Sequence, residues 1–593
     1  MGALSGVRPR RSATAAAGRG RRRAPWVIGT LLSAAVLMFC YLRIAGADQV
    51  NSDGGGMVWQ AWDVLHGNVL LHGWWAADVS FYTTELPEYL VVTAAAGLRP
   101  EVVHICSALT YTALVLLAAF VARGRARGAE GVVRALLAAG LILTPQPTGP
   151  TQVLLGSPDH VGTGVPVLVL LLLLDWAQGS ESPGRQAQGR WWVPVAAGAL
   201  LAWSIIGDPL IEVVGVVPLF FACSLQACWI VWSRRDPAPG AGPVTPRRHW
   251  SSAGYELSLA AAALAAIPVA LAGNRVIRHL GGFSVANPWY HLQPLHKIVH
   301  GLPIAARSVL ALFGADYKGV TGAGNVAFAL GHLVGVAVVL AGFVVGLWGL
   351  LRPFAQLAWP RRFGAAVPGD LVADFLVIAI VVNCVAFVLE VPMTNVYAAH
   401  EIGPVLVFGA ALAGRTLGGR ILGSPRDAEA SGGPSGTRSG GRFRARRILL
   451  PVFAVCLACY AVMLGVAAAH RQAPPRNVGL AAWLTKHHLT SGFSPYWEAS
   501  SITVDSGGAI TVLSVTDGGR HGRLTPQKWV TDVKLTAHMP PAKFVILSPA
   551  EKVRRSAAVK TFGSPAHSYR YGHYTILVWN ENLLPKMAAA ARA

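Results

Sequence analysis

Charge is scarce in this sequence. Asp, Glu, Lys and Arg make up 13% of its 593 residues against 53% hydrophobic residues, and the mean hydropathy is +0.46. That balance excludes an ordinary soluble domain and predicts a polytopic membrane protein. Acidic residues are the scarcer sign, so the net charge is +22. Nucleic-acid binding does not follow, because the arginines sit in short tracts between apolar runs, where retention of basic loops in the cytoplasm accounts for them. Cysteine is sparse as well: Cys40, Cys106, Cys223, Cys228, Cys384, Cys456 and Cys459 all lie in or beside apolar segments, and the polar C-terminal part has none. Neither a disulfide framework nor a zinc site is indicated. The chain also lacks a phosphate-cradling glycine motif, a GxSxG elbow and an HExxH pair, which excludes ATP-driven pumping and the common hydrolases.

What is present is a ladder of apolar runs. The basic N-terminus, residues 1–25, holds Arg8, Arg10, Arg11, Arg19 and Arg21 to Arg23, which keeps it in the cytoplasm and makes residues 26–44 a retained first helix rather than a cleaved signal. Further spans are expected at 104–121, 132–143, 161–174, 191–206, 210–232, 255–272, 326–351, 371–389, 402–412 and 448–468, about eleven in all, filling 26–470. Residues 86–98 are too short to cross and are expected to lie in the interface. Two large outer loops, 47–100 and 273–325, separate the spans. The tract 414–447, with eight arginines among Gly, Ser and Pro, is expected to be a disordered cytoplasmic loop. An odd span count places 477–593 outside. There the runs ITV (502–504), AITVLSV (509–515), KFVILS (543–548) and YTILVW (574–579), with a helix at 480–488, predict a small α/β domain.

The first outer loop carries the most informative chemistry. Residues 48–89 hold Asp48, Asp53, Asp63, Asp78, Glu85 and Glu88 with Trp59, Trp62, Trp74 and Trp75, and no Lys or Arg. Carboxylates can accept a proton from a hydroxylated substrate and flat rings can stack on a sugar face, so the stretch reads as a pocket lining, or else as a solvated loop with interfacial tryptophans. Asp48 and Asp53, close behind the first span, suit a general base or a helix cap. Asp53 is preferred as base, because the Gly54 to Gly56 run would let backbone approach a bulky substrate. Asp159 and His160 stand at the mouth of a span, where an ionisable group is a functional candidate. Asp208 and Glu212, one turn apart, would share a face able to hold a hydroxyl or a divalent cation; no third ligand is identifiable, so no metal is assigned. Arg275, Arg278, Lys297 and Arg307 offer donors for a phosphate, or for lipid headgroups. His400 and Glu401 are a weaker pair. In the outer domain, Tyr496, Trp497, Tyr569 and Tyr571 could present rings, with a core role expected for Trp497.

Taken together, the cytoplasmic N-terminus, the acidic residues just past the first span and the outer domain after the last resemble the GT-C class of membrane glycosyltransferases. These are polyprenyl-phosphate-sugar-dependent enzymes that include the protein mannosyltransferases and the actinobacterial arabinosyltransferases. The tail segments SGFSPYWEASSITVDSGG and TFGSPAHSYRYGHYTILVWNENLL look like the outer domain of uncharacterised actinobacterial members. The resemblance implies a GT-C-like fold in the plasma membrane and sugar transfer from a polyprenyl-phosphate donor to a glycan or protein hydroxyl at the outer face, with inversion, in cell-envelope glycan or glycoprotein synthesis. It also implies that an acidic residue of the first outer loop, here Asp53 or Asp48, is the base. Asp78, Asp159, His160, Asp208, Trp59, Trp74 and the four basic residues then contact substrate, and a divalent cation is a candidate cofactor. The alternative is a transporter or flippase for lipid-linked or polar solutes; charges deep within spans would favour it, and Asp374 and Glu390 are the main ones.

Overall fold

The computed structural model describes residues 14–145, 153–156, 160–178, 191–233, 253–286, 291–318, 320–358, 369–422, 439–471, 473, 476–518, 522–535, 539–549, 551 and 553–592. Its helices, in chain order, begin with α1 (Thr14–Ala45), α2 (Ser52–Leu65), α3 (Leu86–Ala96), α4 (Glu101–Arg123), α5 (Gly128–Leu141), α6 (Val153–Gly156), α7 (Gly164–Gln178) and α8 (Trp192–Gly207). A π-helical turn (Glu212–Val216) leads into α9 (Val217–Ser233), followed by α10 (Gly254–His279), α11 (Leu295–Leu312), α12 (Ala323–Ala358), α13 (Leu371–Glu390), α14 (Gly403–Leu422) and α15 (Ser439–Ala468). Each expected span overlaps a helix, but α5, at the span expected over 132–143, is not among those long and apolar enough to cross a membrane. Eight stretches among the described residues are long and apolar enough to cross a membrane, and α7 and α8 are shorter apolar helices.

In lipid, apolar side chains face outward as readily as inward, so small residues decide which faces meet. α1 exposes Val27, Leu31 and Phe39 while burying Leu37, Tyr41 and Ile44. α14 approaches its neighbours at glycines: a Cβ on Gly342 of α12 would lie 2.5 Å from the Ala413 Cα, and one on Gly414 would lie 2.5 Å from the Arg134 carbonyl of α5. The helix expected to stop at residue 412 continues to Leu422, and α15 begins at Ser439, so the described parts of the 414–447 tract are helical; 423–438 lie outside the described residues. Cys456 and Cys459 have CxxC spacing on α15, and both are free thiols.

The C-terminal domain, called the outer domain after its expected position, is a three-layer α/β/α unit. Its sheet has the order β5-β4-β3-β7-β9-β8, built from β3 (Ser491–Ser494), β4 (Thr511–Thr516), β5 (Thr525–Pro526), β7 (Phe544–Leu547), β8 (His567–Tyr571) and β9 (Tyr574–Val578). The β4-β3-β7 centre is parallel. Helices α16 (Val478–Lys486) and α17 (Tyr496–Asp505) cover one face with Leu484 and Ile502 against Val512, Phe544 and Ile576. On the other, α18 (Arg555–Phe562) and α19 (Leu584–Arg592) set Phe562 and Met587 against Leu513, Val545 and Leu577. Strands buried on both faces tend to be near-continuous apolar runs, which makes β4, β7 and β9 legible, whereas β3 (Ser-Gly-Phe-Ser), β5 and the exposed β8 lie in none of the expected runs. The ITV run (502–504) is the exception: it is helical, within α17. Glu551 accepts the Tyr496 and Trp497 amide hydrogens at the start of that helix, at 3.2 and 2.6 Å, and burial of Ala499 and Ile502 on the sheet overrides the β preference of Ile, Thr and Val.

A second, three-stranded sheet ties the domain to the helical body. β1 (Trp74–Ala76) from the first outer loop pairs in parallel with β2 (Ser284–Val285) from the second and antiparallel with β6 (Thr531–Asp532) from the outer domain. The two loops and the domain therefore share one side of the molecule, as the expected span order requires.

Candidate active site

Helix α2 starts the site. Asn51, not Asp48 or Asp53, is its cap, its side chain accepting from the Gly54 amide at 3.0 Å. This leaves Asp53 in the first turn with its carboxylate turned to the outer domain, where the Tyr496 hydroxyl donates to Oδ1. The glycines that follow seat the domain rather than a substrate: a Cβ on Gly55 would sit 3.1 Å from the Ser500 carbonyl carbon, and Gly56 faces Val530. Asp48 accepts its neighbour Gln49's amide at 2.8 Å and lies against Gly156, away from the cavities described below.

The rest of the loop is pinned to the C-terminal end of α8. Helix ends leave carbonyls without partners, and here Ser80 donates to the Ile206 carbonyl at 2.9 Å, Thr83 to that of Trp203 at 2.6 Å, and the Phe81 amide to that of Gly207 at 2.9 Å. Asp208, the cap of α8, is fully buried. Its carboxylate accepts from the Thr163 hydroxyl and the Leu210 amide and lies 3.0 Å from His160 Nδ1. The other ring nitrogen of His160 is 3.4 Å from Glu401, which in turn is 3.2 Å from His400 Nε2. Asp208 is thus a partner of His160, and the shared face with Glu212 expected from spacing does not form. Burial would lower the affinity of His160 for a proton, but Asp208 and then Glu401 outweigh it and hold the imidazole well above its usual range, with both N–H groups facing carboxylates. The residue adopts a left-handed backbone, φ 51°, a strain that the surrounding bonds hold in place. Glu85 is buried beside this cluster, one oxygen against Gly162 and neither making a well-formed hydrogen bond; burial raises its carboxyl to about 8.

Two cavities meet at the cluster. The inner one, of about 360 Å³, is mostly apolar, lined by Ile206, Leu210, Val213, Phe387 and Val391, with Arg278, Asn274, Asn383 and Glu390 among its polar groups. The outer one, of about 670 Å³, lies between the helical body and the outer domain and is lined by Asp53, Gln60, Tyr397, Tyr496, Trp497, Trp529 and Glu551. Asp78, His160 and Glu401 line both. A cleft of about 470 Å³ adjoins them, sharing Arg278 with the inner cavity and Trp529 with the outer, and holding Lys528 4.8 Å over the Trp75 ring.

Several expected residues sit elsewhere. Trp59 and Trp74 pack edge-on at 5.7 Å in the loop's own core, with Trp74 Nε1 donating to Asp63 at 2.8 Å, so they support the site without lining these cavities. Trp497, expected in the core, is 42% exposed and lines the outer cavity. Arg307 is bound by Asp316 at 2.8 Å, Arg275, Arg278 and Lys297 are exposed, and of that group Arg278 is the one that lines the spaces described here. Asp159 lies outside the described residues. Among those, no group of three or more side chains is arranged to hold a metal ion. Residues that went unread include Gln60, Asn383, Trp529 and Lys528; only Asn383 carried a signal, as a lone amide inside an apolar run.

No protein-family model and no curated protein matches the chain. Among solved structures it is similar to ArnT from Cupriavidus metallidurans bound to undecaprenyl phosphate, at 14% identity and a TM-score of 0.49 over 96% of this chain and 99% of that one. It is also similar to the oligosaccharyltransferase of Archaeoglobus fulgidus in complex with zinc and sulfate, at 12% identity and a TM-score of 0.44 over 88% of this chain and 67% of that one.

Proposed function

We propose that the protein is a GT-C-type glycosyltransferase that moves a sugar from a polyprenyl-phosphate donor to a hydroxylated acceptor. The observation that carries this reading is the pair of cavities sharing one polar wall. An isoprenoid phosphate needs an apolar slot ending in a cation, which the inner cavity offers with Arg278 at its edge and Lys528 across the adjoining cleft. A hydroxylated acceptor needs a polar, ring-lined space, which the outer cavity offers. The anomeric carbon would sit where they join, by Asp78, His160 and Glu401.

In a single displacement the acceptor oxygen bonds to the anomeric carbon from the outer side as the bond from that carbon to the phosphate oxygen breaks. The acceptor's proton passes to Asp53, whose carboxylate Tyr496 orients, and the polyprenyl phosphate departs with the bonding electrons toward Arg278. Attack opposite the leaving group inverts the centre. His160, buried and cationic between Asp208 and Glu401, keeps the shared wall rigid and offsets its negative charge.

The test is release of polyprenyl phosphate by the purified full chain given polyprenyl-phosphate sugars. Asp53→Asn should slow release by about 10²- to 10⁴-fold with donor binding retained. Full activity in that variant removes Asp53 as base, and movement of solute or of intact donor across the membrane without release selects a transporter instead.

A further inference from the structure

The outer cavity carries a charge preference. Its wall holds Asp53, Asp78, Glu401 and Glu551 and, among the described residues, no Lys or Arg, while the two histidines in it, His160 and His400, both lie against Glu401. The cations of this region, Arg278 and Lys528, line the inner cavity and the adjoining cleft. The adjoining cleft thus carries Arg278 and Lys528 with no carboxylate among its described residues, the outer cavity is acidic, and the inner cavity is mixed, with Asp78, Asp208, Glu390 and Glu401 beside Arg278 and His160. Three rings rim the negative side. Trp497 is 42% exposed and Tyr397 52% exposed, and Trp529 stands between the cavity and the cleft.

Partly exposed aromatic rings on a polar wall suit a sugar, since the flat apolar face of a pyranose covers a ring while its hydroxyls reach the polar groups around it. Gln60 and Gln527 supply neutral amides on the same wall, with the carboxylates as acceptors for hydroxyl or ammonium hydrogens. An anionic acceptor would bring like charges together in a half-enclosed space where the one cation among the described lining residues, His160, is already held between Asp208 and Glu401.

We infer that the acceptor is a glycan segment that is uncharged or amino-bearing, stacked on Trp497 and Trp529, and that phosphorylated or uronic-acid glycans are excluded. This rests on the glycosyltransferase reading above, with the outer cavity as acceptor site.

The experiment uses the full chain in lipid nanodiscs and three radiolabelled probes of equal length: maltohexaose, a fully deacetylated chitosan hexamer and hexagalacturonate. Maltohexaose and the chitosan hexamer should bind, and hexagalacturonate at least ~10-fold more weakly, since its carboxylates would meet the cavity's own. Trp497→Ala should weaken maltohexaose binding by about fivefold, the loss of one ring contact, with Tm unchanged; Trp529→Ala is the second variant should the first not fold. Equal or tighter binding of hexagalacturonate, no effect in a folded tryptophan variant, or glycosylation of a serine-containing basic peptide when no glycan probe binds would each overturn the inference. Polyprenyl phosphate release is followed in the same preparation. Release that persists while the probe order fails removes only the acceptor class, whereas no release with any acceptor removes the reading beneath it.

Discussion

Arg415 and His160 are both buried side chains held between carboxylates in the helical body, yet their surroundings differ. Arg415 on α14 donates to Asp175 of α7, to both oxygens of Asp370 at the start of α13, and to the Val121 carbonyl of α4 at 2.8 Å. Its guanidinium fork is satisfied by three other helices, and it lines none of the three cavities around the site. Around His160 the bonds are longer, Glu85 has no well-formed partner, the backbone is strained, and two cavities open. Buried charge alone therefore does not mark a site. A closed, saturated network is a clamp, and an open one with unmet polar capacity has something left for a substrate.

That contrast can be broken by substitution. Arg415→Met leaves Asp175 buried with only the longer contact to Arg125, at 4.0 Å, and removes the cation from Asp370, so it should destabilise the protein by about 3–5 kcal/mol, seen as lost expression or a large drop in Tm in detergent. Adding Asp175→Asn should restore part of it, and an Arg415 variant of normal Tm would mean the network is not a clamp. His160→Gln should do the reverse: a fall of about 10²-fold in polyprenyl phosphate release, with Tm within a few degrees of the parent. A collapse in stability like that of the Arg415 variant would place His160 in the same class and erase the distinction.

Gly55→Leu tests the seam between the helical body and the outer domain. Its side chain would enter the space of the Ser500 backbone and should cost about 1–3 kcal/mol, with faster amide exchange in α2 and α17 and reduced transfer. The smallest effect concerns Glu498, buried in α17 under Tyr496. Burial, then the nearby Glu551, raises its carboxyl to about 7. A raised carboxyl stabilises the fold fully below the ordinary value near 4.5 and loses that contribution as pH rises through about 7. Domain Tm should therefore decline over that window, and Glu498→Gln should flatten the decline; an unchanged slope would locate the dependence elsewhere.

Much of the fold was legible because bilayer thickness and backbone satisfaction leave few ways to arrange long apolar runs. Strands β4, β7 and β9 of the outer domain were legible for a related reason, double-sided burial, whereas β3 (Ser-Gly-Phe-Ser), the two-residue β5 and the exposed β8 carry no apolar run. Residues 502–504 were misread because their environment, not their β-branched side chains, chose the helix. Asp53, His160 and Asp208 stood out one at a time, as ionisable groups at membrane boundaries. The pairing of His160 with Asp208 across 48 positions, or of Asp53 with Tyr496 across 443, leaves no trace in local pattern. The misreading of Gly54 to Gly56 has the same origin: glycine signals close approach, and it does not say of what.

By itself, the amino-acid order determined the apolar helices, the acidic and aromatic loop behind the first of them, the basic tracts and the separate α/β domain, since each follows from solvent preference along a local stretch. Only the tertiary structure decided that β1, β2 and β6 would join both outer loops to that domain, that one acidic and one cationic wall would face adjoining spaces, and that Arg415 would be clamped while His160 stands open. Those outcomes depend on which surfaces meet, and surfaces meet through packing of residues far apart in the chain, a quantity that no local window contains.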